Sequence, residues 1–92
     1  MANFIITYDL NGPRPSHKEM DDHLRKLTAN RGRILETVWW VSFQGTAAEL
    51  RDRVKTILGR EDLLLVIEAK SAAWTNLLVG DAALMEAWKK AA

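Results

Sequence analysis

The chain has no cysteine. Disulfides, thiol nucleophiles and zinc sites built on thiolates are therefore excluded, and the sequence suits a reducing compartment such as the cytoplasm. It also lacks an excess of either charge. Thirteen Lys and Arg stand against twelve Asp and Glu, a net of +1, which is no polyanion-binding signature by itself. No apolar run approaches the ~20 residues of a membrane span, so no membrane partner is expected. The N-terminal residues show no basic region followed by an apolar stretch, so nothing points to secretion. No His-Ser-Asp set and no glycine-rich phosphate loop are visible, and Gly12 stands alone. His17 and His23 are six apart, a spacing that does not share one helix face as i, i+4 metal ligands do. Linkers, repeats and low-complexity segments are likewise missing.

What is present is a globular pattern. Of 92 residues, 48% are apolar, enough for one domain over 1–92. A chain this short buries only ~60–65% of its unfolded surface, which favours self-association. Residues 3–10 read as a first strand. Ser16 and Glu19 form a capping box that opens a helix expected over 16–31, with Met20, Leu24 and Leu27 as its apolar stripe and Gly32 ending it. Two strands share residues 33–44. Thr46 and Glu49 form a second capping box, with Leu50, Val54, Ile57 and Leu58 on one face and Gly59 closing that helix. Residues 63–67 are a continuous apolar run, expected as a central strand buried on both faces. Asp81 is placed to cap a short last helix with Leu84, Met85 and Trp88 facing inward.

The order β-α-β-β-α-β is the ferredoxin-like arrangement: an α+β fold with a four-stranded antiparallel sheet and two helices on one face. Residues 3–70 form this core, and 71–92 are a C-terminal extension with a short helix. Strand alternation assigns the other face. On the first strand Phe4, Ile6 and Tyr8 should face the helices, and Ile5, Thr7 and Asp9 the open side. Trp39 is expected inward and Trp40 outward. An outward Trp marks an interface between copies, formed by Ile5, Thr7, Val38 and Trp40. The alternative is that Trp40 lies beneath the tail over 72–92, whose Trp74 and Trp88 also need a surface.

The candidate for chemistry is the end of the first strand, Tyr8-Asp9-Leu10, followed at once by Asn11-Gly12-Pro13-Arg14-Pro15. It holds an acid on rigid backbone at a strand's carboxyl end, beside a sharp loop with one arginine. The plainer reading is an Asx-type turn made by Asp9. The basic residues Arg25, Lys26, Arg31 and Arg33, with Arg51, Arg53, Lys55 and Arg60, are either solvated helix faces or a phosphate-tracking rim.

Tyr8-Asp9-Leu10, the helix closing at Gly32, Thr37-Val38-Trp39-Trp40-Val41, and Glu61-Asp62-Leu63-Leu64-Leu65-Val66-Ile67 together resemble the small ferredoxin-like protein of CRISPR adaptation modules. The similarity is closer to its SinR-like relatives outside CRISPR loci, and the plan is shared with virulence-associated D-type ribonuclease toxins. It covers residues 3 to about 70. The resemblance implies a homodimer in which two copies of Asp9 face each other across the axis and hold Mg2+ or Mn2+ for phosphodiester cleavage, while other members are DNA-binding scaffolds. By position Asp9 would be the metal ligand and catalytic acid, and Tyr8 its packing neighbour. Arg14 would contact phosphate, Thr37 would stand where the family has serine, and Asn11 would be a neutral oxygen ligand near RNA or DNA. The loop here lacks the second acid or richer basic run common in nuclease-like members. Two functions of different class follow. One is a dimeric nucleic-acid-associated factor with weak metal-dependent nuclease activity. The other is a non-catalytic dimeric interaction module of a toxin–antitoxin or mobile-element system.

Overall fold

A computed structural model describes residues 2–28, 30–78 and 81–91, the side chains of 81, 82, 90 and 91 excepted. The elements are β1 (Ala2–Asp9), α1 (His17–Leu27), β2 (Arg31–Leu35), β3 (Val38–Phe43), α2 (Ala47–Val54) continued by a 3-10 turn (Lys55–Ile57), β4 (Leu63–Ala69) and α3 (Asp81–Ala91). The sheet runs β2-β3-β1-β4, and every neighbouring pair is antiparallel. This is the ferredoxin-like α+β plan.

Both capping boxes form. Ser16 Oγ accepts from the Glu19 amide and Glu19 Oε1 from the Ser16 amide; Thr46 and Glu49 repeat the exchange. Behind the caps, Met20 and Leu24 of α1 and Leu50 and Val54 of α2 are fully buried. They pack on Phe4, Ile6, Tyr8, Trp39, Val41 and Phe43, the helix-facing residues of the two central strands. Leu27, Ile57 and Leu58 complete this core from its margin.

Several boundaries differ from the sequence reading. Helix α1 ends at Leu27, not near 31, because Thr28 is already extended (φ −156°, ψ 148°) and its hydroxyl donates to the Ser42 carbonyl at 2.8 Å. Gly32 is therefore no helix cap; with Arg31 and Arg33 it lies in β2, opposite Trp40. Thr37 falls in the β2–β3 turn rather than in a strand. The helical segment after Thr46 stops at Ile57, and Gly59 serves a turn instead.

The largest correction concerns β4. It is an edge strand, not a central one, because the ferredoxin-like order places β1 and β3 in the middle. Its side chains alternate: Leu64 and Val66 pack against the helix-side core, whereas Leu63, Leu65 and Ile67 are 59%, 53% and 45% exposed.

The open face is half covered by the chain itself. Trp40, assigned outward, does point away from α1 and α2, but only 4% of it is exposed. It joins Ile34 and Leu84 in a second core flanked by Ile5, Val38, Trp74, Leu77, Ala87 and Trp88. Its indole N–H donates to Asn3 Oδ1 (2.7 Å), and Asn3 Nδ2 donates to the Trp88 carbonyl (3.2 Å). The Leu78 amide bonds the Ile34 carbonyl of β2. Met85, expected inward, is instead 49% exposed. The capping role expected of the Asp81 side chain lies outside the described residues.

Candidate functional site at the carboxyl end of β1

Asp9 closes β1 opposite Leu63 of β4 and is exposed on the sheet's open side. It lines a shallow hollow of about 150 Å³ with Thr7, Tyr8, Leu63, Leu64 and Leu65. The alternation that sends Asp9 outward sends Tyr8 inward. The Tyr8 hydroxyl accepts from Trp39 Nε1 at 3.2 Å inside the helix-side core. Burial raises the pKa of that phenol, so Tyr8 is a neutral structural group and not a partner of Asp9. The Tyr8 amide donates to the Thr37 carbonyl (3.3 Å), which brings the β2–β3 turn alongside the end of β1.

The following loop is organised by an acid that the sequence reading passed over. Asp62 Oδ1 accepts from the amides of Asn11 (2.7 Å) and Gly12 (3.2 Å), and Oδ2 from the amide of Gly59 (2.8 Å). These bonds, Gly59 first, lower the Asp62 pKa. Asn11 adds a bond from Nδ2 to the Glu61 carbonyl at 2.9 Å. The turn after β1 is therefore tied across the sheet edge to the segment before β4. Asp62, not Asp9, supplies the carboxylate that an Asx-type reading had assigned to this loop. The one available signal was the spacing of Gly59 and Asp62 before an apolar run.

Arg14 is aimed at the start of α1. Its guanidinium pairs with Glu19 Oε2 and is largely solvated. That hydrogen bond, then the Ser16 amide, hold the Glu19 carboxyl at about 2, below its ordinary 4.5. Four of the cations weighed as a phosphate rim are matched locally: Arg25 lies within 4 Å of Asp22, Arg33 of Asp21, and Arg51 and Lys55 of Asp52, while Lys18 also lies within 4 Å of Asp22. Arg53 stacks over Phe43 at 5.3 Å. His23 Nε2 donates to the Arg53 carbonyl (3.0 Å) and ties α1 to α2.

The structure thus gathers Asp9, Thr7 and the Thr37 turn at one end of the sheet and directs Arg14 elsewhere. Of the residues expected at an interface between copies, Thr7 borders the hollow, whereas Ile5, Val38 and Trp40 contact the chain's own C-terminal segment. The residues missed were Leu63, Leu65 and Ile67, of which Leu63 and Leu65 line the hollow beside Asp9. A hard divalent cation asks for about six oxygen ligands, commonly with one or two carboxylates. At this end of the sheet Asp9 supplies the uncommitted carboxylate, since Asp62 accepts from three amides, and Asn11, whose Nδ2 donates to a carbonyl, has Oδ1 as a neutral oxygen. Among the described residues of one chain, no group of three or more His, Asp or Glu side chains is placed to hold such a cation. No protein-family model matches the chain, and neither does any curated protein.

Proposed function

We propose that this chain is a homodimeric interaction module whose contact surface is the part of the sheet that α3 leaves uncovered. The supporting observation is the stripe of Leu63, Leu65 and Ile67, three large apolar side chains about half exposed in a row on one strand. Scattered exposed leucines need no explanation, but an ordered row on a sheet margin is an interaction signature. The pairing of Arg14, Lys18, Arg25, Arg33, Arg51 and Lys55 with acids, together with the near-neutral net charge, favours a protein partner over a polyanion. The cysteine-free sequence suits work in the cytoplasm.

Equilibrium sedimentation at micromolar concentration tests this reading. The expected mass is twice the 10.4 kDa of one chain. A monomer mass at every concentration refutes it.

A second reading has one observation in its favour: Asp9 is exposed at the end of β1, beside the Thr37 turn. In that reading the dimer is a nucleic-acid-associated factor, and two Asp9 carboxylates together supply Mg2+ or Mn2+ with what one chain lacks. Cleavage of single-stranded RNA or duplex DNA would then need the metal and vanish in Asp9→Asn, which keeps size and hydrogen bonding but removes the charge.

A further inference from the structure

The two edges of the sheet are treated differently. The β2 edge carries Arg31 and Arg33, has a register shift between Arg33 and Leu35, and is strapped by the Leu78 amide on the Ile34 carbonyl. Charge, irregularity and covering chain are the devices by which proteins keep an edge strand from pairing with another molecule. Strand β4 lacks the irregularity and the covering chain, and its one charge, Glu68, stands next to its end. Its seven residues pair with β1 in unbroken register from Asn3↔Ala69 to Asp9↔Leu63. Residues Leu63–Ile67 contain no proline, glycine or charge. Among the described residues, no loop backbone bond reaches β4.

We infer that β4 pairs edge to edge with β4 of a second copy, antiparallel about a two-fold axis at Val66, making one eight-stranded sheet. This rests on the homodimeric reading above and specifies its geometry. The register follows from the charges that bracket the strand. Centred on Val66, the pairing sets Leu65 opposite Ile67 and Leu63 opposite Ala69 on the open face, so the two apolar stripes merge. It also brings Lys70 of each copy near Asp62 of the other, whose carboxylate stays bonded to its three amides and acts on Lys70 through its charge, an attraction made twice by symmetry. Glu68 then lies beside Leu64, with its exposed carboxylate free to reach water. Moving the axis one residue, to Leu65, would set Asp62 opposite Glu68 twice, and like charges directly opposite are unfavourable. An axis at Ile67 would instead set Glu68 opposite Val66 and Lys70 opposite Leu64 with no complementary pair, so the Val66 register is the one of the three that matches opposite charges.

The geometry has a consequence for Asp9. Strand β1 lies one strand inside β4, so the two copies of β1 are three strand spacings apart, about 14 Å. Asp9 aligns with Leu63, which faces Ala69 of the second copy, six residues along from that copy's Leu63. At about 3.4 Å per residue this adds about 20 Å along the strands, so the two Asp9 residues stand about 25 Å apart. Two carboxylates on one cation must approach within about 5 Å, since each oxygen lies 2.0–2.6 Å from the metal. Edge pairing therefore leaves each Asp9 alone.

Because the chain has no cysteine, Asp9→Cys carries a single nitroxide label. Pulsed dipolar spectroscopy on the labelled dimer should give a distribution centred at about 25–35 Å, the span plus the label arms. In parallel, Leu65→Lys, at a position already half exposed, should raise the dimer dissociation constant by at least about tenfold by placing like charges near each other across the axis. A dimer with the labels centred below about 20 Å overturns the edge geometry and leaves the homodimeric reading standing. A folded Leu65→Lys variant that dimerises as the parent does also overturns it. A monomer at all concentrations overturns both.

Discussion

Replacing Trp40 with alanine should unfasten α3 from the sheet, and the cost can be worked from its surroundings. The side chain is 4% exposed, enclosed by Ile34, Leu84, Trp74 and Trp88, and its N–H meets Asn3 Oδ1 at 2.7 Å. Truncating a buried Trp costs about 3–5 kcal/mol. Asn3 is 3% exposed, so its orphaned oxygen adds a further ~1–3 kcal/mol unless water enters. A domain of this size holds only about 5–14 kcal/mol in all. The loss is therefore a large part of the whole, and it falls on one face. Phe4, Ile6, Trp39 and Val41 pack on the opposite side and do not touch the lost ring's pocket. Trp40→Phe keeps most of the apolar contact but not the bond, and should cost less than half as much as Trp40→Ala.

The assay is urea unfolding at two protein concentrations, with hydrogen exchange along 81–91 as the local readout. Both losses should be independent of concentration, and α3 amides should exchange fastest in the alanine variant. An alanine loss below about 2 kcal/mol would refute the burial argument. A loss that grows on dilution would show that Trp40 works between copies rather than under its own tail.

Four further outcomes are expected. Asp62→Ala should leave the helices intact and accelerate exchange of the Asn11, Gly12 and Gly59 amides, which lose their acceptor; unchanged exchange there would dismiss the clamp. Gly45→Ala should cost more than about 1 kcal/mol in thermal unfolding, because φ is +147° and an added Cβ would lie 2.7 Å from the Phe43 ring. The Glu19 carboxyl is held at about 2 against an ordinary 4.5, so its stabilising contribution is present above that ordinary value and lost as pH falls towards 2; Glu19→Gln should flatten the acid limb of a Tm-versus-pH curve, and an identical limb would count against the Arg14 pair. Asp9→Asn should leave Tm and the sedimentation mass unchanged, and metal-dependent cleavage by the parent that disappears in this variant would favour the nuclease reading.

Local rules were legible in the sequence wherever neighbours in the chain decide the outcome. The two capping boxes, the apolar stripes behind them and the alternation of Phe4, Ile6 and Tyr8 against Ile5, Thr7 and Asp9 all act within a few residues. What could not be read was decided by distant partners. Thr28 leaves the helix to bond Ser42, fourteen positions on, overriding the glycine stop suggested by Gly32. Asp62 reaches back fifty residues or more to the loop after β1; its local spacing from Gly59 marks the turn before β4 but not that reach. The Leu63–Ile67 run was ambiguous for another reason. A run without polar residues shows that both faces of a strand avoid charge. It does not show that the same molecule covers both.

That distinction links the fold to the functional question. Trp74, Leu77 and α3 cover the open face from β2 across β3 to Ile5 of β1 and bury Trp40, the residue that had looked most in need of a partner. Had the cover continued over β4, the sheet would be closed and Asp9 would be an isolated surface acid. It does not continue, and Asp9 ends beside the uncovered leucines. How a second copy meets those leucines then decides what Asp9 can do. If the sheets stack face to face with the leucines buried, the two acids can come together and share a cation. If β4 pairs with β4, the acids move to opposite ends of a longer sheet, and any ligand of Asp9 must be bound by one chain alone. The unprotected β4 edge, against the charged, irregular and strapped β2 edge, favours the second arrangement.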